Sequence, residues 1–115
     1  MHLSDLEEQF ANLIWENEPL STANLVKLGE DRFGWKRTTT YTVLKRLENK
    51  EIFRKENGVV TALISRDEFY SLRSQEIVQR DYGGSLPAFV AAFTKKSRLS
   101  KKEIEKIKKL LDEVE

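Results

Sequence analysis

Between Trp35 and Gly58 the chain reads Trp-Lys-Arg-Thr-Thr-Thr-Tyr-Thr-Val-Leu-Lys-Arg-Leu-Glu-Asn-Lys-Glu-Ile-Phe-Arg-Lys-Glu-Asn-Gly. Its residue types suit contact with a polyanion. Lys36, Arg37, Lys45 and Arg46 can neutralise phosphates, and the hydroxyls of Thr38, Thr39, Tyr41 and Thr42 can bond phosphate oxygens or base edges. A threonine methyl can also pack on a thymine methyl in the major groove. Arg54 and Lys55 follow in a hairpin-like segment from which they can reach adjacent backbone. Tyr41 has two uses open to it, DNA contact and packing.

Helical spacing sorts this segment into two faces. Over a helix from about Lys36 to Asn49, Thr40, Val43, Leu44 and Leu47 fall on one side, and Thr38, Tyr41, Thr42 and Lys45 on the other. Two helices are expected before it. Ser4-Asp-Leu-Glu7 is a capping box opening the first, Leu6, Phe10, Leu13 and Ile14 recur at helical spacing, and Pro19 ends it. Ser21 caps a second helix carrying Leu25, Val26 and Leu28, which Gly29 is expected to terminate. Residues 30–35 then form a turn with two aromatics, and Trp35 is expected to plug the space between the second and third helices. Ile52–Glu56 and Val59–Ile64 are strand-like and flank Asn57-Gly58, a favoured type I′ hairpin pair. Three helices followed by a two-stranded hairpin describe a winged helix-turn-helix.

Beyond it, Ser65-Arg-Asp-Glu68 opens a fourth helix to about Tyr82, Gly83-Gly84-Ser85 breaks it, and residues 86–96 form a short apolar helix. Ser100-Lys-Lys-Glu103 opens a last amphipathic helix. Phe89, Phe93, Ile104, Ile107, Leu111 and Val114 line these closing helices, which are too thin to enclose a core of their own. A second copy of the chain is the expected cover. The fold class is therefore mainly α with a small β-hairpin: a winged-helix DNA-binding domain over residues 1–66 and a helical dimerisation domain over 67–115.

The net charge of +1 conceals a division along the chain. Residues 1–34 hold two basic and seven acidic residues, residues 35–55 seven basic and two acidic, and the remainder comes to +1. One local positive surface follows, which is what a polyanion needs whatever the total. No apolar run approaches the roughly 20 residues that cross a bilayer. The start lacks the pattern of a secretory signal, and the chain has no cysteine. A cytoplasmic protein without membrane contact, cofactor or metal is expected. A single His2, the missing cysteines, the lack of a Gly-rich phosphate loop and the scattered carboxylates supply no catalytic constellation, so the chain is not expected to be an enzyme.

Trp35-Lys-Arg-Thr-Thr-Thr-Tyr-Thr-Val-Leu-Lys-Arg-Leu-Glu48 is very similar to the recognition-helix signature of the penicillinase and methicillin-resistance repressor family, which also includes copper-responsive repressors. Ile14-Trp15 and the closing helices resemble it too. The likeness covers nearly the whole chain and is most specific over residues 35–47. It implies a homodimeric transcriptional repressor that inserts the recognition helix into the major groove of a pseudo-palindromic double-stranded DNA operator. In β-lactam-responsive members a regulatory protease cuts an Asn-Phe bond in the C-terminal domain. The counterpart here is Ala92-Phe93, with Ala in place of Asn, and it stands as the candidate proteolytic switch. The cysteine cluster of copper-responsive members is missing. Glu51 replaces the glycine usual after the recognition helix, and Val59 stands where a basic residue is common. The alternative reading is a winged-helix protein-interaction module without specific DNA binding.

Overall fold

The computed structural model describes residues 2–114. The elements are α1 (Asp5–Asn17), β1 (Leu20–Ser21), α2 (Thr22–Phe33), α3 (Arg37–Asn49), β2 (Phe53–Glu56), β3 (Val59–Ala62), α4 (Arg66–Tyr82), α5 (Leu86–Thr94) and α6 (Lys101–Asp112). They fall into a compact unit ending at Ser74 and another starting at Gln75, so the division lies within α4.

In the first unit α1 begins at the expected capping box. The Ser4 hydroxyl accepts from the Glu7 N–H at 3.2 Å, and the Glu7 carboxylate accepts from the Ser4 N–H at 2.9 Å and from Lys50 Nζ at 3.0 Å. Those bonds, the one from the Ser4 backbone foremost, hold the Glu7 carboxyl below its ordinary range. Phe10, Leu13 and Ile14 are buried as their spacing predicts, whereas Leu6 stays 46% exposed. Pro19 follows the extended C-cap Glu18, where the helix has ended.

Gly29 does not terminate α2. The helix runs on to Phe33 and ends at Gly34, whose φ of +66° gives the left-handed cap and whose N–H donates to the Glu30 carbonyl. The aromatic-bearing turn expected over 30–35 is correspondingly mostly helix. Gly29 is instead a packing residue: a Cβ there would lie 2.6 Å from the Thr40 hydroxyl, so only a glycine lets α2 approach α3 this closely. Trp35 packs its ring at 5.1 Å from Phe10 on α1 and 4.6 Å from Phe33 on α2, so its ring contacts are with the first and second helices.

On α3, Thr40, Val43, Leu44 and Leu47 are all buried, and the intervening residues face outward. Burying a Val or Leu side chain contributes about 1.5–3 kcal/mol, against at most about 1 kcal/mol for an exposed ion pair. The apolar face therefore sets the roll of α3. The polar face is carried wherever that packing puts it.

The hairpin turns through Asn57 and Gly58 at φ +54° and +73°, the two left-handed residues of a type I′ turn. Register pairs Phe53 with Ala62, Arg54 with Thr61, Lys55 with Val60 and Glu56 with Val59. The sheet has three strands rather than the expected two, in order β1-β3-β2, because Leu20 and Ser21 pair with Val60 and Val59. The Thr22 N–H donates to the Gly58 carbonyl at 3.0 Å, tying the wing tip to the start of α2.

α4 opens on the Ser65–Glu68 box and lies against α1. Glu8 accepts from Tyr70 at 2.8 Å and from Arg73 at 2.7 Å, and these bonds, that from Arg73 foremost, lower its carboxyl from the ordinary value. The Trp15 indole N–H donates to the Ile64 carbonyl at 3.1 Å and its ring meets Phe53, Phe69 and Tyr70.

In the second unit the end of α4, α5 and α6 bury no described residue. The Tyr82 ring meets Phe89 edge-on at 5.4 Å, and Phe89 stacks toward Phe93 at 6.4 Å. α6 has its own Ser100–Glu103 capping box and a pronounced apolar stripe that stays open to solvent, with Leu111 59% and Val114 75% exposed.

The turn between α3 and β2 puts Glu51 at φ +60°. Left-handed backbone costs a residue with a Cβ about 1–2 kcal/mol, part of which a glycine gives back through its freer unfolded chain. Glu51→Gly is expected to stabilise the protein by about 0.5–1 kcal/mol, read as a higher midpoint in thermal or urea unfolding. An unchanged or lower midpoint contradicts this strain at the turn.

Candidate nucleic-acid interface

The outer face of α3 and the neighbouring strand β2 carry every residue expected to touch DNA. Lys36, Arg37, Thr38, Thr39, Thr42, Lys45, Arg46, Arg54 and Lys55 are exposed, and Tyr41 is half-buried. Their electrostatic surroundings differ from those of three other cations in the same unit. Lys50 pairs with Glu7, Arg66 with Glu16 and Arg73 with Glu8, all within 3.3 Å. Among the described residues no carboxylate lies within ion-pair distance of Lys36, Arg37, Lys45, Arg46 or Lys55. Lys27 and Arg32 on α2 also have no carboxylate at that distance among the described residues, but the larger group of unneutralised cations is the one on α3 and β2.

The start of α3 adds to this field. Five helices open on a serine that accepts a backbone N–H: Ser4, Ser21, Ser65, Ser85 and Ser100. α3 opens on Lys36, which supplies no side-chain cap, and its first turn holds no acid. Its free N–H groups and the positive end of its dipole face outward with Lys36 and Arg37.

Three of the expected residues converge. The Arg37 guanidinium lies 5.6 Å and Lys55 Nζ 5.4 Å from the centre of the Tyr41 ring. Hydrogen bonding from Arg37, then from Thr22, with the charges of Arg37 and Lys55 behind it, holds the Tyr41 phenol below its ordinary value. Packing and polar contact are therefore both realised at Tyr41, toward cations rather than toward the core. Between α3 and the wing runs an open groove of 620 Å³, with Tyr41, Thr42, Lys45, Arg46 and Lys55 along it and one carboxylate, Glu48, among them.

Other expected residues are not so placed. Arg54 turns onto Glu56 at 3.2 Å, so half of the wing's expected positive charge is cancelled. Glu56 lies two residues from Arg54 on one strand, and the period of two puts both on one face, a signal legible in sequence. The Thr42 hydroxyl donates to the Thr38 carbonyl at 2.9 Å, which leaves it an acceptor for outside groups. Thr22 carried no local signal, since only the fold brings it to Tyr41. Ala92 and Phe93 fall in the last turn of α5, Ala92 half-buried and Phe93 51% exposed.

Among the described residues no cluster of His, Asp and Glu could hold a metal ion, and no helix is long and apolar enough to cross a membrane.

A three-helix unit with a type I′ wing and an unpaired cationic helix face is a winged helix-turn-helix. Residues 3–113 match the profile of the penicillinase repressor family, and the chain belongs to that family. It is 28% identical over 115 residues to the penicillinase repressor of Bacillus licheniformis, covering 96% of this chain and 90% of the relative. It is 25% identical over 114 residues to the methicillin resistance regulatory protein MecI of Staphylococcus aureus (strain Mu50 / ATCC 700699), covering 96% and 93%. The penicillinase repressor of Staphylococcus aureus is 24% identical over 118 residues, covering 99% and 94%.

The Tyr41 environment makes a direct prediction. Ultraviolet titration should show one phenol ionising below the ordinary tyrosine value of about 10. That component should vanish in Tyr41→Phe and move up in Arg37→Ala. A profile that Arg37→Ala leaves in place contradicts the assignment.

Proposed function

We propose that this protein is a transcriptional repressor that acts as a homodimer on a pseudo-palindromic DNA operator, reading it with α3 and steadying itself with the wing. The observation that carries the reading is the group of cations on α3 and β2, Lys36, Arg37, Lys45, Arg46 and Lys55, with no carboxylate at ion-pair distance among the described residues. Membership of a family named for penicillinase repression and likeness to a methicillin resistance regulator supply the biological direction.

The homodimer rests on α5 and α6. Phe93, Ile104, Ile107, Leu111 and Val114 are exposed and Phe89 is only half-buried. Exposed apolar side chains in this number mark an interaction surface. A second copy satisfies it and supplies a second recognition helix, so that two half-sites are read about one helical turn apart.

Occupancy of the operator blocks transcription, and relief follows if a regulatory protease separates the dimerisation helices. The bond it would cut, Ala92–Phe93, sits within α5 and has to unwind first, while the exposed Phe93 ring offers a recognition element. Cleavage there lowers affinity by removing bivalent binding.

The wild-type chain is expected to shift promoter DNA as a dimer, with sedimentation giving twice the chain mass. Lys45→Ala with Arg46→Ala is expected to weaken binding and to flatten the slope of log affinity against log salt by roughly 0.9 for each phosphate no longer neutralised. An unchanged slope, or a monomer at micromolar concentration, refutes the proposal and leaves the protein-interaction module.

For the switch, mass spectrometry of protein from cells induced with a cell-wall antibiotic should find a chain cut between Ala92 and Phe93. An intact chain at full derepression rules the switch out.

A further inference from the structure

Arg37 and Lys55 reach the DNA-facing surface from different elements, α3 and β2, yet both rest on Tyr41. We propose that Tyr41 is a positioning residue, its ring holding Arg37 and Lys55 as one preorganised cationic unit for the DNA backbone. This rests on the repressor reading above and names how part of that site works.

A solvated arginine or lysine samples many rotamers, and ordering it on a phosphate reduces the affinity that the contact returns. A ring that already gathers the cation lowers that loss. An exposed cation over an aromatic face gains the equivalent of about two- to fivefold, enough to bias a side chain without burying its charge. The wing tip is itself held in place, because the Thr22 N–H at the start of α2 is bonded to Gly58. Helix and wing therefore meet at one side chain.

The neighbouring cations give the contrast. Arg54 adjoins Lys55 but is bound to Glu56. Lys45 and Arg46 line the groove with no ring within cation–π distance among the described residues. The assigned unit is Arg37 and Lys55 only.

The test uses the full-length chain and a mixed-sequence duplex of about 30 base pairs, long enough for two half-sites a helical turn apart. Phosphate contacts are independent of sequence, so fluorescence anisotropy at fixed low salt reports them. Tyr41→Leu, which keeps bulk and removes the ring quadrupole, is expected to weaken binding by roughly five- to twentyfold. Tyr41→Phe should recover most of that affinity. The deciding comparison is the same Tyr41→Leu change in two backgrounds. With both Arg37→Ala and Lys55→Ala present it should cost less than about twofold, whereas with Lys45→Ala it should cost as much as in the wild type. If Tyr41→Leu costs as much after Arg37 and Lys55 are removed, Tyr41 acts on DNA or on the fold by itself, and the inference is overturned. A Tyr41→Leu chain that binds as tightly as wild type overturns it too. No binding by the wild-type chain overturns the repressor reading and this inference together.

Discussion

How closely α2 and α3 approach each other decides where everything else in the winged unit points. Gly29 lets the Thr40 side chain sit against the α2 backbone, and Val43, Leu44 and Leu47 then fill the space toward α1. With that face locked, the remaining residues of each turn have no alternative but solvent, and these are the threonines and cations of the outer side. The groove-facing surface is thus a consequence of what α3 buries. A larger residue at position 29 would push α3 away from α2 and re-aim its outer face, although no residue of that face had changed.

Electrostatics follow the same division of labour. Carboxylates on α1 secure structure: Glu7 holds Lys50 beyond the end of α3, and Glu8 holds Tyr70 and Arg73 on α4. Both carboxyls are lowered from their ordinary value by these bonds. Groups with depressed folded-state pKa favour folding above the unfolded-state pKa, and that contribution disappears as pH falls through the folded-state value. The acidic α1 and the basic α3 are thus complementary parts of one unit, with most of the unpaired positive charge on α3 and β2.

Much of this was legible in the residues. Ser-x-x-Glu boxes marked the starts of α1, α4 and α6, the spacing of Thr40, Val43, Leu44 and Leu47 placed the inner face of α3, and Asn57-Gly58 placed the wing turn. What was not legible turned on contacts between distant residues. Gly29 and Gly34 both look like helix stops locally; the approach of Thr40 decides between them. β1 has two residues and exists only because β3 offers an edge to pair with. Tyr41 could be referred to Arg37 one turn earlier on the same helix, but its partner Lys55 is supplied by the fold. Glu51 drew notice as an unusual residue, and its left-handed φ supplies the physical reason that glycine suits the position.

Whether α3 and the wing together form the DNA-binding surface can be decided by amide chemical-shift mapping of the labelled chain during titration with duplex DNA. The largest perturbations are expected on residues 36–46 and on the wing around Lys55, while the buried residues of α1 move little. Perturbations centred on α5 and α6, or none at all at saturating duplex, would contradict that assignment.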